Sequence, residues 1–433
     1  MLVHYLRLFC GISSTVVLLC LSACSDSNGD GALPSGSYED LCKVNCGFGH
    51  AVGPDLTPPA AVPVTAVPHN GFYQDPNTGV FVRRISDKTN LEGVERLRHF
   101  YAKSNPYNAD SSLALLTDSK NRYWLQYTSD NLPVKQLQLD SANTEVYWHP
   151  VDPWVLYALD YSSDSSSVRG IYFYNVVDDT KTLLRDFPEY TQALTFGEGN
   201  MDASGRYLAL AGLLPSSNSE EERYELFVYD VLEDRVLART PIDASEVGDW
   251  VSITPNAGFV VAMGDNYSSV YDRDLNLLYK LEEGSFGHGD LCVRSDGAEV
   301  LVYDGADNSL DGNRNFNVVD LASGVTYGMF RFSWALTPHV SCRNVDKPGW
   351  ALISMMGVAS NDYSDVDEGL FWLKLDGSGD VFPIVNHYSD RAGGYFAESH
   401  AVSNRDGSRV MFASDWRGST SPSSYQVTLT ALE

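Results

Sequence analysis

One figure recurs along this chain of 433 residues. It is a short apolar stretch, a turn built on Gly or Pro, and a second apolar strand. The clearest copy is FGHGDLCVRSDGAEVLVY, residues 286–303, with its turn at Asp296-Gly297 and its strand at Val300-Leu301-Val302-Tyr303. Other copies run from Trp148-His149-Pro150 to Val155, from Asn200 to Tyr207, and from Asp249-Trp250 to Phe259. Two more run from His339 to Ala351 and from His400 to Val410. A unit repeated at roughly 40–50 residues restricts a chain to a propeller or a solenoid. Strands and turns without a helical period favour the propeller. The expected fold is therefore all-β: a seven-bladed β-propeller of four-stranded blades. Its first strands precede Leu113, Val155, Tyr207, Phe259, Val300, Ala351 and Val410. The last unit runs out of chain after Tyr425–Leu429, one strand short. Val80–Ile85 is the strand available to complete that blade and close the ring without an open edge.

The repeat also places side chains. Counted back from the first residue after each turn, Asp249, Asp290, Ser341 and His400 lie ten positions upstream. His288 and His339 lie twelve upstream. Offsets that differ by one strand period face the same side. Three histidines and two aspartates are thus expected at one rim of the central channel. His149 sits closer to its strand and is expected in a turn.

The segments before the repeat carry an address. Residues 1–24 contain Arg7, an apolar run from Leu8 to Leu21, and then Leu21-Ser22-Ala23-Cys24. This is a secretory leader by its charge and apolar length. It resembles the bacterial lipobox, which makes Cys24 the lipidated first residue of the mature chain. Ser25 after it is compatible with outer-membrane sorting. The expectation is an outer-membrane lipoprotein of the bacterial cell envelope, facing the periplasm or the surface and held to the membrane by lipid at Cys24. Residues 25–70 are rich in Ser, Gly, Asp and Pro and are expected to form a disordered tether. The propeller is expected over residues 71–433, as a monomer.

The net charge of −27 opposes nucleic acid as a partner. Four cysteines outside the leader and the lipid site suit an oxidising compartment. The expected pairs are Cys42 with Cys46 and Cys292 with Cys342.

The Asp-Gly and Ser-Gly turns followed by apolar strands resemble the TolB type of propeller. More narrowly, His288 in GHGD, His339 in PHVSC and His400 in SHAV resemble the oligogalacturonate lyases, as does His99-Phe100-Tyr101 with Lys103. That resemblance implies a seven-bladed fold, a rim of histidines holding a divalent metal, usually manganese, and an acidic oligosaccharide as substrate. The lipoprotein leader and the long acidic loops depart from the family.

Three imidazoles suit a divalent cation, and Asp290 could join them as a ligand or orient a ring. A lyase acting on uronates also needs a base, for which Lys103, Tyr101 and His99 are the candidates, with Arg331 and the neighbours of Trp334 as others. Two acidic loops, one with Asp304, Asp307 and Asp311 and one with Asp362, Asp365 and Asp367, lack the spacing of a calcium-binding EF-hand but leave calcium open. No G-x-S-x-G motif supports serine chemistry. Two functions follow from the sequence. One is metal-assisted β-elimination on uronate glycans. The other is a non-catalytic propeller lipoprotein that binds a protein or glycan at the cell surface.

Overall fold

In the computed structural model, the strands next to each turn carry the longest apolar runs. Tyr207–Leu213 (YLALAGL), Phe259–Met263 (FVVAM) and Trp350–Ser354 (WALIS) are buried along almost their whole length. Such runs are covered on both faces. The fourth strands, such as Thr180–Asp186 and Leu277–Leu281, are largely exposed. The structure describes residues 64–161, 169–215, 222–264, 267–281, 288–306, 314–332, 338–356, 368–389 and 394–429. Cys24, Cys42 and Cys46, the leader, most of the tether, and all the acidic-loop aspartates except Asp304 lie outside the described residues. So does Trp334, and so does the side chain of Arg331.

The described residues form an all-β, propeller-like fold with no α-helix. Five sheets are four-stranded and antiparallel. The first is Thr144–Trp148, Val155–Asp160, Gly170–Asn175 and Thr180–Asp186; the second begins at Gln192–Leu194, the third at Trp250–Ile253, the fourth at Gly289–Val293 and the fifth at His339–Ser341. The remaining nine strands form one sheet. On one side it holds Leu97–Arg98, Leu113–Asp118, Arg122–Tyr127 and Pro133–Asp140; on the other it holds Val402–Ser403, Arg409–Ser414 and Ser423–Thr428. A single parallel pair, Ser423 with Leu97, joins the two. Phe81–Arg84 adds to the second group antiparallel to Ser423–Thr428, with Val82 opposite Val427 and Arg84 opposite Tyr425. Phe72–Gln74 lies beyond it.

A bulge between the third and fourth strands recurs, at Val228/Tyr229, Val270/Tyr271, Phe316/Asn317 and Leu370/Phe371. A bulge raises local twist, so each sheet is twisted at the same place. The turns use left-handed backbone. Gly297 has φ 86°, and in the neighbouring sheet Ala257 takes φ 57°, which is the residue before the expected glycine.

The core lies between sheets. Each hydrophobic cluster draws on two consecutive groups: Ala209, Leu226 and Val228 pack with Val251, Val260 and Ala262, and Val300, Val302 and Phe316 with Ala351, Ile353 and Phe371. Leu97, Ala114 and Leu116 also pack with Val402 and Met411. The first strands Gly289–Val293 and His339–Ser341 are bridged by Cys292–Cys342, with Cα atoms 5.2 Å apart. The chain is already packed at Val64. Trp416 Nε1 donates to the Val64 carbonyl at 2.8 Å, and Val64, Ala66 and Val67 lie against the last hydrophobic cluster. Val64, Ala66 and Val67 are thus packed against the sheets although they precede Gly71.

Candidate metal centre

Three first-strand ends converge. His339 opens its strand and is 1% exposed. His288 directly precedes Gly289–Val293, its carbonyl accepting from the Asp304 amide at 3.1 Å. His400 follows a short 3-10 turn at Tyr395–Ala397 and takes φ 41°. The ring centroids of His288 and His339 are 4.2 Å apart, and those of His339 and His400 are 4.3 Å apart.

A fourth residue completes the group. Glu398 Oε2 lies 3.5 Å from His339 Nε2 and 3.4 Å from His400 Nε2. The available donor atoms of His339, Glu398 and His400 all fall within 4.8 Å of one another. Two donors about 2.1 Å from one ion are at most about 4.2 Å apart, so both glutamate spacings fit and the rings need only a small closing movement. Two imidazoles and a carboxylate are a donor set for a divalent metal. His288 stands beside this trio rather than within it.

Arg98 holds the arrangement from behind. Its guanidinium is buried, donates to the carbonyls of His99 (3.0 Å), Phe396 (2.8 Å) and Glu398 (3.0 Å), and reaches His400 Nδ1 at 2.5 Å. Burial pulls its pKa down to about 10. Because Arg can only donate, Nδ1 accepts and the proton of the neutral ring sits on Nε2, toward Glu398. For a cation to bind at Nε2 that proton must move to Nδ1, and Arg98 must give up its contact there. Burial, with His339 and Arg98 adding, holds the His400 pKa well below its ordinary value. The imidazole is therefore neutral.

The expected base candidates take other places. His99 Nε2 bonds the His400 carbonyl at 2.7 Å and Nδ1 meets Ser424 Oγ at 3.2 Å; burial lowers its pKa to about 3. With both nitrogens used, it is a strut for the His400 backbone. Tyr101 packs edge-on against His339 (5.6 Å) and tilted against His400 (4.8 Å). Burial raises its pKa well above 10, so the phenol keeps its proton. Lys103 pairs with Glu198 at 2.6 Å and lies 4.4 Å over the Trp250 ring.

Asp290 is not among the metal-facing groups. Its carboxylate takes the Arg343 guanidinium (2.8 and 3.2 Å) and the Cys342 amide (2.7 Å), which ties the strands already joined by the disulfide. Asp249 is exposed, and its charge is felt at Tyr101. His149 is a turn residue, as expected: Nδ1 accepts from the amides of Val151 and Asp152.

Sequence reasoning missed Glu398 and Arg98. Glu398 is two residues before His400, one strand period, and this was the readable signal. Arg98 carried none beyond standing next to His99.

In sequence, the chain matches no protein-family model and no curated protein. In structure, it is similar to an oligogalacturonate lyase from Vibrio parahaemolyticus, with a TM-score of 0.59 at 12% identity over 83% of this chain and 96% of that one. It is also similar to an oligogalacturonate lyase in complex with manganese, with a TM-score of 0.56 at 14% identity over 83% and 96%. The chain thus has an oligogalacturonate-lyase-like fold.

Proposed function

We propose that this chain is a seven-bladed propeller lipoprotein, anchored in the bacterial envelope through Cys24, that cleaves acidic glycans by metal-assisted β-elimination. Supporting the closed ring are the hydrophobic cluster between the first and last groups of strands and the pairing of Phe81–Arg84 with Ser423–Thr428. The observation that carries the function is the convergence of His339, Glu398 and His400 with His288 beside them.

His339, Glu398 and His400 would hold the divalent ion, with manganese the first candidate. When bound, such an ion supplies positive charge to a uronate carboxylate and so makes the proton on the adjacent carbon easier to remove. His288, beside that group, would take that proton. The electron pair forms the ring double bond as the glycosidic C–O bond breaks, and the departing oxygen must gain a proton. Tyr101, whose phenol is kept protonated by burial, is suited to giving one.

Elemental analysis of the purified full chain, with ultraviolet absorbance of the unsaturated uronate product, tests this reading. The expected result is one divalent ion per chain and an absorbance rise on oligogalacturonate. His339→Ala should abolish both and leave the β-sheet circular dichroism unchanged. A His339→Ala chain that keeps its full metal content overturns the site. Binding of glycan or protein with no cleavage would favour a non-catalytic binding propeller. Cys24→Ser should release the chain from membranes.

A further inference from the structure

The sheets that begin at Gly289–Val293 and His339–Ser341 share no strand pairing. Near the metal centre, side chains cross the gap instead. His288, Asp290 and Cys292 stand two residues apart, and strand alternation sends all three to one side. The strand pairing reaches as far as His288, whose carbonyl accepts from the Asp304 amide at 3.1 Å. Each of the three meets the neighbouring sheet. His288 meets His339, with ring centroids 4.2 Å apart. Asp290 takes the Cys342 amide at 2.7 Å and the Arg343 guanidinium at 2.8 and 3.2 Å. Cys292 is bonded to Cys342, with Cα atoms 5.2 Å apart.

The three contacts differ in what they can hold. A disulfide confines its two Cα atoms to a narrow range of separation. A guanidinium fork on a carboxylate fixes direction as well as distance, and here both partners are buried, Asp290 3% and Arg343 7% exposed. A contact between two imidazoles fixes neither. Asp290 and Cys292 lie roughly 7 and 13 Å along the strand from His288, so the carboxylate tie is the nearer and the disulfide backs it. A backbone bond also joins these sheets, from the Gly349 amide to the Val293 carbonyl at 2.8 Å, but at the far end of the strand. The next gap is built differently. There His339 faces His400 at 4.3 Å, and the Ala401 amide meets Ser354 Oγ at 3.2 Å.

We propose that Cys292, Cys342, Asp290 and Arg343 are positioning residues. Together they set the distance of the His288 imidazole from His339, and so from the cation that His339 would hold. This rests on the lyase reading above, in which His288 takes the proton. The four act through His288 without joining the reaction.

The test removes the ties from the full chain. Cys292→Ala with Cys342→Ala leaves space in the cluster that holds Val300, Val340 and Ala351. Cys292→Ala with Cys342→Val, which refills part of it, is therefore measured beside it. In chains deuterated except at histidine, nuclear Overhauser cross-peaks between ring protons should link His288 to His339 and His339 to His400 in the wild type. Both bridge-free variants should weaken the first link and keep the second. Arg343→Met, which keeps the bridge, should also weaken the first link, and Arg343→Lys should do so less, since it keeps the charge without the fork. In turnover on oligogalacturonate with manganese, the bridge-free variants should lose kcat on the order of 10²-fold, the cost of misplacing a group by about 1 Å. Their KM, and their manganese affinity by chelator competition, should stay unchanged. A first link absent from the wild type, or undiminished in a bridge-free variant, overturns the inference. Loss of both links together also overturns it, because that is a general loss of structure. A wild type that neither takes up manganese nor cleaves fails the lyase reading; selective loss of the first link would then still assign the placing of His288 to these residues.

Discussion

Two glutamates in this molecule are equally buried, each 7% exposed, and they do opposite things. Glu145, on Thr144–Trp148, accepts from Thr195 Oγ1 (2.6 Å), the Thr195 and Gly197 amides (3.3 and 2.8 Å) and the Tyr147 hydroxyl (2.7 Å). Glu398 points instead at two imidazoles. Burial pushes the Glu145 pKa up, and the four donors offset part of that push. Its lone pairs are spent on sewing two sheets together. A carboxylate turned toward two imidazoles would instead offer its charge to a cation. Burial alone does not mark a site; the type of partner does.

The largest expected effect separates the two directly. Glu398→Gln should cost metal affinity by more than the roughly 10–100-fold typical of outer-shell losses, measured by competition with a chelator, with little change in urea stability. Glu145→Gln should leave metal binding intact and cost about 1–3 kcal/mol of stability, since its new amide N–H₂ must face donors. Equal loss of metal in both variants would break the contrast. A smaller effect is expected at Arg98, which touches metal-facing groups without being one. Arg98→Met should weaken metal binding about 10–100-fold, and Arg98→Lys should do so less. The smallest effect concerns a histidine on the structural side of the comparison. His387 donates from Nε2 to the Met355 carbonyl at 2.6 Å and accepts at Nδ1 from the Ser389 amide at 2.9 Å. Only the neutral ring can do both, and burial holds its pKa below the ordinary value. A depressed histidine pKa gives stability that is complete above about pH 6.5 and is lost as pH falls toward the folded value. Denaturant melts at pH 7.5 and 5 should show a loss of up to about 1.4 kcal/mol per pH unit that His387→Gln lacks.

The repeat was legible because apolar strands and Gly-bearing turns are local signals, and equivalent offsets brought His288, His339 and His400 into one place. The equivalence was looser than simple counting suggested. His339 faces Ser354, three residues past Ala351, and Val402 faces Met411, which puts His400 level with His339 despite different offsets. The turns differ in length, so a count through them drifts. Glu398 was harder to see, since the 3-10 turn and the left-handed His400 interrupt the strand that would have announced it. Asp290 shows the converse: a well-placed carboxylate claimed by Arg343, whose position in the sequence gives no hint of the pairing. Lys103 was drawn to Glu198 in the same way, by a contact nearly a hundred residues distant.

The strand pairing at the ends of the described chain governs when this protein can finish folding. Ser86 and Ser424 are bonded across a separation of 338 residues, with the Ser424 amide on Ser86 Oγ at 2.7 Å. Closing a loop of that length costs on the order of 5 kcal/mol by chain statistics alone. It can happen only after nearly every residue has left the ribosome. Through all of synthesis Phe81–Arg84 is then a strand awaiting its partner, and its exposed edge invites pairing with another chain. Neighbouring sheets can form early and sequentially, whereas this seam sets the last and slowest step. Crowded synthesis should therefore yield swapped pairs of chains joined through this seam.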